Sequence, residues 1–173
     1  TALVKRYPHN GQAHLLLAQV LLKQTRYREA CRLAPNSLDA LLGLAQSLSF
    51  LNQHEEAMRL AQQARGIAPK LVAVWITLGN IQKAAHELEA AIASYEKALA
   101  FAPGDWKVYR ALSHLIVFKQ ESPVFELVKA CIEKEGISDR DRADMHFLLG
   151  KAYLDIHKDE QAFFHYEEAN RVM

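Results

Sequence analysis

The sequence predicts an all-α protein made of successive antiparallel helix pairs, an architecture known as an α-solenoid. Three prolines, Pro35, Pro69 and Pro103, lie 34 residues apart, and this interval indicates a structural repeat. Within each interval, matching residues follow one another at spacings of three and four, which is the periodicity of a helix. The composition is that of a globular, nearly neutral chain, since 50% of its 173 residues are hydrophobic and 21 basic side chains balance 20 acidic ones.

Equivalent positions of successive repeats hold residues of the same type. A large residue follows each proline by six positions, and a leucine and then a small residue come three and four positions later. These columns are Leu41, Trp75 and Tyr109; Leu44, Leu78 and Leu112; Ala45, Gly79 and Ser113. We expect a first helix in which Trp75 fills the core and Gly79 admits a neighbouring helix, followed by a second helix that buries an alanine stripe.

Helix boundaries can be placed from proline and capping residues. Each proline ends the second helix of a pair, because proline lacks an N–H group and disfavours helical geometry in the residue before it. The predicted N-caps are Asn36 or Ser37, then Asp105. In the region after Tyr109, the predicted start, stop and restart are Ser122 with Pro123, Gly136, and Ser138 to Asp141.

The repeat register divides one solenoid domain into the segments 1–34, 35–68, 69–102, 103–139 and 140–173. Segment 1–34 is incomplete, because Pro8 and Pro35 are only 27 residues apart. Either a deletion leaves a helix of barely two turns from Tyr27 to Leu33, or seven residues of the molecule are missing from the sequence. We favour the second explanation. Segment 103–139 has three extra residues and is divergent, and we expect the whole chain to be a fragment of a longer protein.

Residues 74–103 resemble the tetratricopeptide repeat family, whose 34-residue unit has a large residue, a Leu-Gly pair, later alanines and a closing proline. The matching residues are Trp75, Leu78, Gly79, Ala91, Tyr95, Ala98 and Pro103. Gln82 stands where the family has a tyrosine. The resemblance covers nearly the whole chain. It implies a right-handed superhelix of helix pairs that binds proteins through its concave face.

The last repeat also resembles a more specific group of proteins. Its residues His146-Phe147, Leu149 to Ala152 and Phe164 to Asn170 are similar to the final repeat of bacterial proteins that fuse such repeats to a sulfotransferase. This resemblance implies an alternative function, in which the chain is the repeat arm of a larger enzyme. The catalytic domain would then follow Met173.

The candidate binding surface is a row of polar residues two positions after the leucine column, namely Gln19, Gln46, Asn80, His114 and Lys151. Such a row could hydrogen-bond the backbone of an extended peptide or a partner helix. The alternative is that these are ordinary solvent-facing helix positions. Apolar residues beside the row favour binding; they are Leu15, Leu42, Ile76 and Phe147. Some family members clamp a terminal carboxylate, and Asn80, Lys107 and Arg110 form part of such a set, although Ala111 replaces an expected asparagine.

Composition and motifs argue against other functions. A net charge of +1 without runs of like charge argues against nucleic acid as a partner. No apolar run suits a membrane span, and the start of the chain lacks a signal peptide, so a cytoplasmic location is predicted. Cys31 and Cys131 are expected to be small packing residues in a reducing compartment. Self-association through exposed ends of the solenoid is a further expectation.

Chemistry is not expected from the chain itself. The eight histidines show no metal-ligand spacing: His54 and His86 each lack a second histidine on the same helix face, and His157 and His165 lie too far apart. They are predicted to be surface or packing residues. No nucleophile motif or glycine-rich phosphate loop is present, so no enzyme activity, cofactor or metal is predicted.

Overall fold

A computed structural model describes residues 11–119, 124–133 and 135–173, and all regular secondary structure in these ranges is helical. This confirms the predicted all-α class. The helices are α1 Gly11–Leu33, α2 Leu38–Phe50, α3 His54–Ile67, α4 Val72–Ala84, α5 Leu88–Phe101, α6 Trp106–Ser113, α7 Val124–Ile132, α8 Asp139–Asp155 and α9 Asp159–Val172.

The chain divides into two compact units at the junction of Phe101 and Ala102. This junction lies next to Pro103, where the sequence places a boundary between repeats. The first unit holds α1 to α5 and the second holds α6 to α9. A single solenoid domain with the five predicted segments stays a prediction.

The first unit contains two helical hairpins, α2–α3 and α4–α5, and α4 also packs against α2 and α3. Its core consists mainly of leucine, valine and isoleucine side chains from the first helices and of alanines and Tyr95 from the second helices. The predicted alanine stripe is confirmed, since five of its members are fully buried: Ala57, Ala61, Ala64, Ala91 and Ala98. Cys31 packs against the edge of this core as a free thiol.

Helix α1 is a single element where the repeat pattern places two helices and a turn. The short separate helix from Tyr27 to Leu33 is therefore not found, because these residues continue α1. Tyr27 lies directly against Gly43 of α2, where an added Cβ would overlap its ring. The contact anchors the C-terminal half of α1 to the first hairpin. The suggested absence of seven residues stays a prediction.

The second unit is centred on the hairpin α8–α9, and α6 and α7 pack against α8. Its core joins Phe118, Phe125 and Val128 to Met145 and Leu149. Cys131 is a buried free thiol in the same core, as expected for a packing residue. Ser122 and Pro123 lie outside the described residues.

Capping residues begin the helices as predicted. Ser37 rather than Asn36 caps α2, and its Oγ accepts a 3.4 Å hydrogen bond from the N–H of Ala40. Asp105 caps α6 and Ser138 caps α8 in the same way, at 3.0 Å and 3.1 Å. The predicted stop at Gly136 is displaced: α7 ends at Ile132, and Gly136 lies in the following turn with φ of +79°.

The three hairpins α2–α3, α4–α5 and α8–α9 share one turn geometry. Two positions after the last residue of each first helix, the chain has a residue in the left-handed region, namely Asn52, His86 and His157, with φ of 63°, 64° and 58°. In α4–α5, the N–H of Glu87 bonds to the carbonyl of Gln82 at 2.8 Å, and the N–H of His86 bonds to that of Lys83 at 3.1 Å. This pair of bonds is a Schellman motif, and it satisfies carbonyls that the helix end leaves open.

Candidate interaction surface

Asn80 is the best-defined member of the predicted polar row. It is exposed on α4, and its Oδ1 accepts a 2.7 Å hydrogen bond from the hydroxyl of Tyr95. Tyr95 is fully buried, and burial raises its pKa to about 12, so the hydroxyl keeps its proton and donates. The core therefore holds the Asn80 side chain in place by its Oδ1, and within the described part of the chain its Nδ2 forms no hydrogen bond.

The residue that fills the core of this hairpin is Tyr95, not Trp75. The Tyr95 ring crosses Gly79, where an added Cβ would lie 2.7 Å from Cε1. Trp75 is only partly buried, because its indole reaches the edge of the hairpin and its Nε1 donates to the carbonyl of Pro69 at 2.7 Å. The guanidinium of Arg65 lies 5.9 Å from the Trp75 ring centroid. Trp75 of α4 therefore contacts both α3 and the segment 68–71 that connects α3 to α4.

Gln46 connects two first helices. It is exposed on α2, and its Nε2 donates to Oγ1 of Thr77 on α4 at 3.2 Å. Thr77 is buried beside Ile76, which is half-buried. Gln46 therefore uses its Nε2 in a contact within the protein. Its Oε1 is the side-chain atom that could accept a hydrogen bond from a ligand.

The predicted apolar wall is only partly present. Leu42 is 7% exposed and belongs to the core of the first unit, so it offers no wet surface. Leu15 is exposed on α1, as is the polar Gln19. Phe147 is half-buried, with its ring centroid 6.2 Å from that of Tyr166. The sequence pattern placed Leu42 on the surface beside the polar row, whereas its side chain faces the core from α2.

The row members of the second unit have contacts of their own. Lys151 forms an ion pair with Asp155, and its Nζ lies 5.8 Å from the ring centroid of Phe118. Asp155 also accepts a 3.0 Å hydrogen bond from the N–H of Phe118. Lys151 and Asp155 therefore fix the chain after α6. His114 is exposed at the C-cap of α6.

The two cations of the carboxylate-clamp set each have a contact within the second unit. Lys107 lies near the ring of Trp106, with 5.7 Å between Nζ and the centroid. Arg110 forms a 2.8 Å ion pair with Asp144 of α8. Arg110 thus has an acidic partner within its own unit, which removes much of its positive charge from any clamp.

A pocket of about 550 Å³ opens on the hairpin α4–α5. Its lining residues are Trp75, Gln82, Ala90, Ala93, Ser94, Glu96, Lys97 and Ala100. The Ser94 hydroxyl and the Gln82 amide lie 2.6 Å apart within it. The indole and the alanine methyl groups make this pocket largely apolar, and its size is within the range of small-molecule and side-chain pockets.

A pair of buried histidines joins α8 to α9 and was missed by the spacing rules. Nδ1 of His146 lies 3.0 Å from Nδ1 of His165. The ring of Tyr153 stacks on His165, with 5.4 Å between centroids and 5° between planes. Burial is the main cause that lowers both histidine pKa values, that of His165 to about 4. The signal was available in the repeat columns, because His146 takes the position of Trp75 and His165 that of Ser94.

The described residues contain no group of three or more His, Cys, Asp or Glu side chains placed to hold a metal ion. Within the same ranges, no helix has both the length and the apolar character needed to cross a bilayer.

Comparison with known proteins gives one family match and two similar structures. Residues 72–105 match the tetratricopeptide repeat model. One crystal structure of MamA is 16% identical and superposes with a TM-score of 0.60 over 86% of this chain and 85% of that one. A second MamA crystal structure is also 16% identical, with a TM-score of 0.58 over 86% and 80%. No curated protein sequence gives a significant match. Residues 72–105 therefore match a tetratricopeptide repeat, and the chain shares the fold of the MamA structures.

Proposed function

We propose that the chain is a protein-interaction scaffold that binds an extended peptide or a partner helix along its first helices. The observation that carries this proposal is the exposed Asn80 side chain, which the buried hydroxyl of Tyr95 holds by its Oδ1. Two amide N–H donors are then available to a ligand without the entropic cost of ordering the side chain. A polar side chain that is already fixed by a hydrogen bond from the core loses less conformational entropy on binding than a mobile one.

Neighbouring residues supply complementary chemistry. Ile76 and Asn80 are four residues apart and therefore share one face of α4. Thr77, between them, receives the hydrogen bond from Gln46 of α2. A peptide crossing α4 could accept hydrogen bonds from Asn80 through its carbonyls and place an apolar side chain on Ile76. Gln46 Oε1 would accept a hydrogen bond from a peptide N–H.

The test starts from the chain itself and a random peptide library displayed on phage. Peptides selected by the parent protein are synthesised with a fluorophore, and their affinity is measured by fluorescence anisotropy. Asn80→Ala should weaken binding by roughly three- to tenfold, since it removes one or two neutral hydrogen bonds. Ile76→Ser should weaken binding as well, while far-ultraviolet circular dichroism of both variants stays unchanged.

Gln46→Ala and Gln62→Ala form a matched pair for the same measurement. Both replace an exposed glutamine, but Gln46 lies on the first helix α2 and Gln62 on the second helix α3. The proposal requires a loss of affinity in Gln46→Ala and none in Gln62→Ala. Equal effects, or unchanged affinity in Asn80→Ala, would place recognition elsewhere on the molecule.

Contacts within the protein make other predicted site residues weaker candidates. Lys151 and Arg110 already form ion pairs with Asp155 and Asp144. A role in binding for Gln19, His114, Lys107 and Phe147 stays a prediction, as do the cytoplasmic location and self-association. The alternative of a repeat arm on a sulfotransferase also stays a prediction, and the sequence that follows Met173 tests it.

A further inference from the structure

The His146–His165 pair has an apolar counterpart in the first hairpin. His146 is equivalent in the repeat to Leu41, and His165 is equivalent to Leu60. Leu41 is buried and Leu60 packs against the same core. The last hairpin has therefore replaced an apolar contact between its two helices by two titratable rings whose Nδ1 atoms lie 3.0 Å apart.

This contact depends on the protonation state. One Nδ1 must carry a hydrogen and the other must be a bare acceptor for a bond at 3.0 Å to form. One added proton makes one ring an imidazolium that can still donate to the bare Nδ1 of the other ring. A second added proton leaves no acceptor, and two imidazolium cations would then face each other in a buried site. The hydrogen bond would be lost and the like charges would repel.

Charged groups on the neighbouring helices do little to relieve that repulsion. Arg142 of α8, Arg171 of α9 and Lys129 of α7 are cations that disfavour protonation of the pair, and Glu168 of α9 is the anion that favours it. Glu168 is itself paired with Arg171 at 2.5 Å.

Two further contacts involve charged groups of the second unit. On α6, Arg110 is neutralised by Asp144 of α8. Lys129 Nζ lies 5.7 Å from the centroid of the Tyr153 ring that stacks on His165. Cations therefore outnumber anions in the electrostatic surroundings of the pair.

We propose that His146 and His165 form a pH-sensitive latch that holds α8 against α9 at neutral pH and weakens this attachment as pH falls from 6.5 toward 4. Release would separate His165 of α9 from Tyr153 of α8, whose ring now stacks on it. Any surface that depends on the closed hairpin would be lost with it.

The direction of the effect follows from proton linkage. Both histidine pKa values are lowered in the folded state, that of His165 from 6.5 to about 4. The unfolded state therefore binds more protons in this range, and the stabilisation is complete above pH 6.5 and is lost as pH falls toward 4. Between about pH 7.5 and pH 5, the ratio of folded to unfolded second unit should fall roughly tenfold to thirtyfold from this source.

The experiment uses the full chain with Trp75→Phe, which leaves Trp106 as the one tryptophan. Because Trp106 packs against the core of the second unit, its fluorescence reports urea unfolding of that unit. The midpoint should drop on acidification. His146→Leu with His165→Leu restores the leucine pair of the first hairpin, and its midpoint should drop much less over the same range.

The matched control is His157→Asn, which removes an exposed histidine from the same hairpin and keeps a residue type that tolerates positive φ. Its midpoint should fall with acid as much as that of the parent. An equal fall in the double leucine variant would overturn the latch.

A second measurement needs no core substitution. The imidazole carbon–proton signals of the parent, followed by NMR through a pH titration, should show that the second proton enters the pair together with loss of the native α8–α9 amide signals. Protonation of both histidines near pH 6.5 with an intact hairpin would overturn the proposal. The same result would leave peptide binding at Asn80 unaffected, because that site lies in the first unit.

Discussion

The hairpins α4–α5 and α8–α9 have the same backbone plan but fill it differently. In each, a tyrosine of the second helix crosses a glycine of the first: an added Cβ would lie 2.7 Å from Tyr95 at Gly79 and 2.8 Å from Tyr166 at Gly150. Each first helix also ends in the same left-handed turn. The two hairpins diverge where Trp75 and Ser94 of one correspond to His146 and His165 of the other.

The side chains around these positions differ in bulk. Ala93 at the rim of the pocket on α4–α5 corresponds to Phe164, whose ring contacts His165. Gln82 corresponds to Tyr153, which stacks on the same imidazole. The middle hairpin therefore has an open pocket where the last has a ring stack. The comparison teaches that the glycine–tyrosine contact sets the helix separation, while the positions beside it can change chemistry without changing the fold.

The largest effect should come from Tyr95→Ala, which empties a fully buried site and removes the hydrogen bond to Asn80. We expect a loss of about 3–5 kcal/mol in the free energy of unfolding of the first unit. Tyr166→Ala should cost about half as much in the second unit, because Tyr166 is only half-buried. Urea unfolding followed by Trp75 in a Trp106→Phe background, and by Trp106 in a Trp75→Phe background, measures each. Equal losses would contradict the difference in burial.

The glycine–tyrosine contact itself can be tested by a double-mutant cycle. Gly79→Ala should cost roughly 1–3 kcal/mol, because its Cβ would push against the Tyr95 ring. In the Tyr95→Ala background the same change should cost nothing, since the ring is gone. The first hairpin already carries this combination as Ala45 and Ala61, both fully buried.

Gly66→Ala is the control for this cycle. A Cβ at Gly66 of α3 would meet nothing within 4 Å. Alanine should therefore stabilise the first unit by up to about 1 kcal/mol through its higher helix propensity. Additive effects of Gly79→Ala and Tyr95→Ala would show that the two residues do not share a contact.

The smallest effects should come from the turns that the hairpins share. His86→Gly and His157→Gly should each stabilise their unit by about 0.5–1 kcal/mol. The left-handed region costs an L-residue about 1–2 kcal/mol, and glycine avoids this cost. Part of the gain is lost, because glycine also increases the conformational entropy of the unfolded chain. Asn52→Gly should gain less, since asparagine tolerates positive φ. Gly136→Ala should have the opposite sign. Shifts of the urea midpoint decide each case, and destabilisation by His86→Gly would show that its side chain has a role that the turn does not reveal.

Periodic features of the sequence predicted the fold well, because they are local and repeated. The prolines, the alanine stripe and the caps Ser37, Asp105 and Ser138 could all be placed before the structure. The continuous helix α1 was not predicted. When a repeat is assumed, a segment without residues that indicate a turn is interpreted as a deletion. The prediction that Trp75 fills the core was also wrong. Its position in the repeat shows only that a large residue is present.

The candidate site was less predictable, because polarity at a helix position does not show what the side chain contacts. The row contained Asn80 and Gln46, but it did not reveal the bonds to Tyr95 and Thr77 that fix them. The His146–His165 pair spans two helices, and only alignment of the repeat columns could have suggested it.

The shared turns also control how chain length can vary. Only Glu87 separates the left-handed His86 from the start of α5 at Leu88. One inserted residue would rotate α5 by about 100° and turn Ala91 and Tyr95 away from α4. We therefore expect insertions and deletions to accumulate between hairpins and to be selected against inside them.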